Sequence, residues 1–350
     1  MNREMDLKER QKTFRAAGLV YFIAALGLLL ARILLRYIMP LFPEMDDATD
    51  EIVSTVVFDF MAQILTLLVI PFLVYKFYLK KTAKEVLYMS NVRKTDMRIY
   101  PLSFLLGICA FIITIYVSFI WQLILANLGF DGSSSSPMPE KFHLWHLLLM
   151  LLLTAVLPSV CEEFTNRGIF LSAIRGSFSK WNTVLIGGIA FGLFHQYVSQ
   201  VFYTALMGML LTYLVLATRS VIPAAIVHFT NNAISVAVDF IGEYSAVNPM
   251  NYITGLITSA PALLFLFLAL AVGIAAFALR LIKKCYGEYY SKNYAMYLKT
   301  GSSVYYDRVT CYWTMSDVRY KPVLRDWVFY IGAAVLTGVY TIFTFYWGFF

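Results

Sequence analysis

The sequence predicts an all-α polytopic membrane bundle of about nine transmembrane helices, and three observations carry that reading. First, 60% of the 350 residues are hydrophobic and 14% are charged, with a mean hydropathy of +0.69, which excludes a soluble globular domain. Second, crossing a hydrocarbon layer of roughly 30 Å takes about 20 apolar residues in a helix, and runs of that length recur along almost the whole chain. Third, these runs are continuous, whereas the strands of a membrane barrel would alternate apolar with polar residues.

The first run, Ala16 to Ile38, follows a charged leader with Arg3, Lys8, Arg10, Lys12 and Arg15. It is longer than a signal-peptide core and no small-residue cleavage site follows it, so it is expected to stay as an anchor. Next come Val53 to Tyr75, Leu102 to Leu128, and a run from Trp145 through Cys161 and onward. Thr183 to Val198 and Val201 to Ala217 are short, and Val221 to Phe240 carries polar residues. Tyr252 to Leu279 and Trp327 to Phe349 complete the set. Before the last run, Lys283 to Asp326 is rich in tyrosine, including Tyr286, Tyr289, Tyr290, Tyr294, Tyr297, Tyr305 and Tyr306. Such residues suit the headgroup zone, and an ordinary loop is the equal alternative. The chain therefore divides into residues 1–100 (leader and two helices), a membrane core over 101–245, and a C-terminal part, 246–350, holding the tyrosine-rich segment 283–326.

Cytoplasmic loops retain Lys and Arg, so counting them in alternate loops orients the chain. One side collects the leader, Lys76 to Arg98, Arg175 and Lys180, Arg219, and Arg280 to Arg325. The other holds Glu44, Asp46, Asp47, Asp50 and Glu51, then 129–142 with Lys141 alone, then 242–251. The N-terminus is expected in the cytoplasm and the C-terminus outside, in a bacterial-type plasma membrane. The net charge of +7 then faces anionic lipid headgroups, and no aromatic and basic motif for nucleic acid occurs. Cys109, Cys161, Cys285 and Cys311 lack the spacing of a disulfide framework or a thiolate zinc site.

Ionisable side chains inside apolar spans are costly and are functional candidates. They concentrate in LPSVCEEFTNRGIF, with Glu162, Glu163 and Arg167, in FGLFHQ, with Phe191 and His195, and in HFTNN, with His228 and Asn232. Glu162 and His195 are equidistant from the turn at Phe178 and Ser179, so an antiparallel hairpin puts them at one depth. From the helix start near Ser220, His228 reaches roughly 12 Å inward, a similar level. Four-residue spacing lets Glu163 pair with Arg167 and stacks His228 one turn from Asn232. Glu162 points about 100° away, free to face the imidazoles. Peptide hydrolysis needs a base that activates water and donors that hold an oxyanion, and these groups can supply both. Helix-to-helix hydrogen bonding explains each group singly, so the residues alone leave catalysis and structure both open. Elsewhere, Arg32 and Asp59 lie symmetrically about the first outside loop and are expected to pair across it. His143 and His146 are read as interfacial and Asp239 as reaching water.

At these positions the sequence resembles the CPBP family, intramembrane proteases related to the type II CAAX prenyl endopeptidase and often called Abi proteins. The family's EExxxR, FxxxH and HxxxN signatures occur in order as Glu162-Glu163-Phe164-Thr165-Asn166-Arg167, Phe191-Gly192-Leu193-Phe194-His195 and His228-Phe229-Thr230-Asn231-Asn232. The resemblance covers roughly residues 100 to 245. It implies that Glu162 and His195 activate water, that His228 and Asn232 bind the oxyanion, and that Glu163, Arg167 and Phe191 support them. No HExxH, GxSxG or GxGD motif competes.

The resemblance leaves two mechanisms open. Zinc held by Glu162, His195 and His228 is one, and metal-free water activated by glutamate is the other. The expected substrate is a membrane-embedded or lipidated peptide or protein approached from the cytoplasmic side. Prenylated CAAX peptides, bacteriocin immunity and maturation of signalling peptides are the family's options. A non-catalytic scaffold or immunity protein is the alternative, followed by a proton-coupled transporter, which Pro158 four residues before Glu162 keeps in view.

Overall fold

A computed structural model describes residues 3–43, 47–130, 144–244, 252, 255, 259–301 and 320–347. The regular structure among them is helical. Helix α1 (Arg3–Ile38) is followed by α2, one rod assembled from Asp47–Asp59, a wide π-helical stretch Phe60–Val69, and Ile70–Tyr78. After the short α3 (Ala83–Met89) come α4 (Ile99–Asn127) and the rod α5 (Leu144–Ile174), which also widens to π-helix at Leu151–Val156 and Phe164–Phe170. Helices α6 (Lys180–Phe194), α7 (Val198–Thr218), α8 (Ile222–Tyr244), α9 (Pro261–Thr300) and α10 (Val328–Trp347) complete the bundle. Among the described residues eight helices are long and apolar enough to span a membrane, and α6 is a ninth, shorter apolar helix. The chain is an integral, multi-pass membrane protein.

Three boundaries differ from the sequence reading, each for a physical reason. The helix expected over 183–198 ends at Phe194, because Gln196 takes a left-handed backbone conformation (φ 63°) that no helix interior accommodates. With 15 residues, α6 is about 22 Å long, shorter than a hydrocarbon layer of roughly 30 Å. The eighth helix begins at Pro261, whose ring suits a first helical turn, rather than at Tyr252. It then runs unbroken through the tyrosine-rich residues 283–300 to Gly301, a left-handed C-terminal cap, so this part is helix rather than loop. Tyr305, Tyr306, Cys311, Lys141 and His143 lie outside the described residues.

The core is built where the apolar faces of α1, α2, α4, α5, α7 and α8 meet, with smaller contributions from α6, α9 and α10. The basic leader belongs to it: Arg10 is fully buried and donates to the backbone carbonyls of Ser172, Ala173 and Arg175 at the C-terminal end of α5. Those carbonyls have no onward helical partner, and a guanidinium satisfies several of them at once. Helices α6 and α7 make the closest seam. A Cβ on Gly192 would stand 2.6 Å from the Val201 carbonyl oxygen, and one on Gly208 would stand 2.9 Å from Phe191 Cβ. Only hydrogen fits at these two places, which lets the backbones approach and sets the height of Phe191 and His195.

Candidate active site

A cavity of about 740 Å³ lies among α2, α4, α5, α6, α7 and α8, and Glu162, His195, His228 and Asn232 all line it together with Phe191. The four expected catalytic positions are therefore brought together. Phe191 is the hub that spaces them: its ring meets the His195 imidazole edge-on at 4.8 Å and the His228 imidazole edge-on at 5.9 Å. Its face carries the Arg167 guanidinium at 4.0 Å. Fixing all three contacts on one buried ring holds two imidazoles from different helices at one level.

Glu163 and Arg167 form the expected pair, with Arg167 Nη1 donating to Glu163 Oε1 at 2.7 Å and both side chains 1% exposed. The same Oε1 also stands 3.1 Å from His228 Nδ1, a link that spacing within α5 could not reveal. His195 Nδ1 lies 2.9 Å from the Phe191 carbonyl oxygen. A carbonyl or carboxylate oxygen only accepts, so each Nδ1 carries the hydrogen and each Nε2 is left with its lone pair in the neutral ring. Among the described residues neither Nε2 has a protein partner, and both rings face the cavity.

Asn232 is held at both ends. Its Nδ2 donates to the Thr154 carbonyl at 2.9 Å, and its Oδ1 accepts from Asn231 Nδ2 at 3.0 Å, while Thr114 Oγ1 donates to Asn231 Oδ1 at 3.1 Å. Thr154 lies four residues before Pro158, which has no N–H for a helical bond, and the amide of α8 donates to that carbonyl instead. Pro158 thereby docks two helices at the site.

Two residues of the site come from α2, outside the region the motifs cover. Gln63 Nε2 donates to Glu162 Oε1 at 3.0 Å, and Asp59 lines the cavity one turn away. Thr165 Oγ1 donates to the Leu67 carbonyl, fastening α5 to the widened part of α2. A polar residue at helical spacing from Asp59 was the only signal available for Gln63, and without the packing of α2 on α5 it pointed nowhere.

The expected pairing of Arg32 with Asp59 does not form. Arg32 donates instead to Gln196 Oε1 and, at 3.4 Å, to the His195 carbonyl, and lies over the Tyr197 ring at 4.7 Å. The chain between α6 and α7 is non-helical at membrane depth, and its carbonyl groups need donors that lipid cannot supply. Arg32 is one of these donors, and Thr344 Oγ1 supplies another to the Gln196 carbonyl at 3.4 Å. His146, read as interfacial, is buried at 8% exposure, and Asp239 lies at the outer end of the cavity wall. The free cysteines among the described residues, Cys109, Cys161 and Cys285, form no disulfide.

The cavity wall comprises Phe111 to Gln122 of α4 and Gln200 to Met207 of α7, toward the Asn127 and Val198 ends, with His228 to Asp239 across the middle of α8. As for zinc, among the described residues no three His, Cys, Asp or Glu stand close enough together to hold a metal ion. Glu162, His195 and His228 share a cavity wall without forming a ligand set.

No curated protein and no solved structure matches the chain. Residues 144–234 match the family model described as type II CAAX prenyl endopeptidase Rce1-like, a stretch that includes every position of the three motifs. The family model thus agrees with the resemblance read from those motifs, and over this segment the chain is similar to the Rce1-like family.

Proposed function

We propose that the protein is an intramembrane endopeptidase in which Glu162 and His195 activate a water molecule and Asn232 and His228 stabilise the oxyanion. The observation that carries the reading is the shared cavity wall: a carboxylate and two imidazoles with unpartnered Nε2 atoms, held at one level by Phe191. Glu162 is anchored through Oε1 by Gln63, and its Oε2 has no protein partner, which leaves an acceptor for a proton of water.

In this scheme His195 Nε2 accepts one hydrogen bond from the water and Glu162 takes its other proton, so that a hydroxide equivalent adds to the peptide carbonyl carbon. The oxyanion accepts from the second N–H of the Asn232 amide and from the Nε2–H of His228 in its doubly protonated form. In that form the Glu163 carboxylate opposite Nδ1 balances the charge, and Arg167 holds Glu163 in place. Glu162 then returns its proton to the amine nitrogen, the C–N bond breaks, and the products are a new carboxylate and a new amine. Every step uses the chain's own side chains.

The substrate is a membrane-embedded or membrane-associated polypeptide entering from the end of the bundle at Asn127, Val198 and Tyr244. With the basic loops in the cytoplasm, the N-terminus inside and the C-terminus outside, that end is the outer face, and the basic ends of the helices meet anionic headgroups. The test is a peptide-release assay on purified protein in lipid, comparing the native chain with Glu162→Ala and measuring bound metal on the same samples. Loss of release in the variant, with full native activity in metal-free protein, supports the scheme. Equal release by both removes it.

A further inference from the structure

The charged groups on the cavity wall are acidic without exception: Asp59, Glu162 and Asp239, with no Lys or Arg. Arg167 is engaged by Glu163, and Arg32 by Gln196 and the His195 carbonyl. Asp59 is 8% exposed and lines the cavity, and among the described residues its carboxylate has no hydrogen bond or ion pair. A buried carboxylate at membrane depth ordinarily faces a cation or a ligand path, because leaving it unpaired is costly. Here the fold gives its expected partner, Arg32, to another task and aims the acid into the space a substrate would fill.

The geometry points to a cation-recognising subsite: we propose that Asp59 binds the ammonium or guanidinium group of a Lys or Arg residue close to the scissile bond, with Asp239 at the outer end of the same wall. Asp59 lies about one helical turn from Gln63, whose amide touches Glu162, so its carboxylate is displaced by about that turn along α2 toward the outer end. That is the span of about two residues of extended chain, which places the basic residue beside the bond being cut. The same charges repel a free C-terminal carboxylate. The favoured substrate is therefore an internal peptide bond flanked by a basic residue, and a short carboxyl-terminal tripeptide is disfavoured. This selection rests on the protease reading for its purpose, while the binding it predicts can be read without cleavage.

The experiment uses full-length protein carrying Glu162→Gln, in phosphatidylcholine vesicles, with fluorescent apolar twelve-residue peptides that differ only by Lys, Gln or Glu at one central position. The Lys peptide is expected to bind tenfold or more tighter than the Gln peptide, the scale of one charge-assisted hydrogen bond, and the Glu peptide weakest. Adding Asp59→Asn should bring the Lys-to-Gln ratio near one, and Asp59→Glu should keep most of the preference; thermal unfolding of each variant verifies that it is folded. Equal binding of Lys and Glu peptides, or a Lys preference that survives Asp59→Asn, overturns the proposal. Cleavage of the Gln peptide by protein with native Glu162 reports separately on the protease reading.

Discussion

Glu163 Oε1 joins two motifs, standing 3.1 Å from His228 Nδ1 on one side and 2.7 Å from Arg167 Nη1 on the other. The contact makes Glu163 the partner that orients His228 as well as the counterion of Arg167. Its first consequence is a tautomer. With Nδ1 donating to Glu163, and with His195 Nδ1 donating to the Phe191 carbonyl, both neutral rings should carry hydrogen on Nδ1. Nitrogen NMR of protein labelled at histidine, resolved by single His→Gln variants, should report Nδ1–H at both positions. Nε2–H at His228 would sever it from Glu163.

Stability follows from the same contact. Replacing Glu163 with Gln keeps the shape but leaves Arg167, 1% exposed, without its carboxylate. Breaking a buried pair on one side costs about 3–5 kcal/mol, so Glu163→Gln should unfold at a markedly lower temperature in detergent. Glu288→Gln, which removes the exposed contact to Arg98, should leave the midpoint close to the native value.

Gln63 touches Glu162 from a helix that carries none of the motifs. Gln63→Leu preserves bulk and removes the donor at 3.0 Å. A hydrogen bond to a charged group contributes about 1.5–3 kcal/mol, so kcat should fall by roughly one to two orders of magnitude with little change in KM. An unchanged kcat would mean that the contact does not position the base.

What the sequence could disclose divides along one physical line. The existence of the spans and the Glu163–Arg167 pair follow from apolar run length and a period of 3.6, and the fold has both; Glu162, His195 and His228, expected at one depth, line one cavity. The Arg32–Asp59 pair was an inference from hairpin symmetry, which assumes uniform α-helix. Helix α2 widens to π-helix over Phe60–Val69, directly after Asp59, and α6 breaks at Gln196 with no Gly or Pro to announce it. Both departures are settled by contacts between helices far apart in the chain, such as Arg32 with Gln196. The roles of Gln63 and Asp59 were hidden for the same reason.

At the membrane surface, Asp326 ties the start of α10 to α1. Burial alone would raise its carboxyl, but hydrogen bonds from Tyr320, the Val323 N–H, Arg15 and Gln11 outweigh that and hold it at about 2. The folded value is below the unfolded value of about 3.9, so the stabilisation is present above about pH 5 and is lost as pH falls toward 2. The depression corresponds to about 2–3 kcal/mol. Asp326→Asn should lower stability by that amount at pH 7, with the gap to the native protein closing on acidification through this window. A gap that stays constant with pH would assign the effect to packing.

The central claim is that Glu162 and His195 serve one water molecule, and a double-mutant rate comparison addresses it most directly. Peptide release should fall by at least about a hundredfold for Glu162→Gln and for His195→Ala, and the double variant should be no slower than the worse single within about threefold, as groups acting as a unit behave. Single variants that cut at the native rate, or losses that multiply in the double variant, would contradict the account.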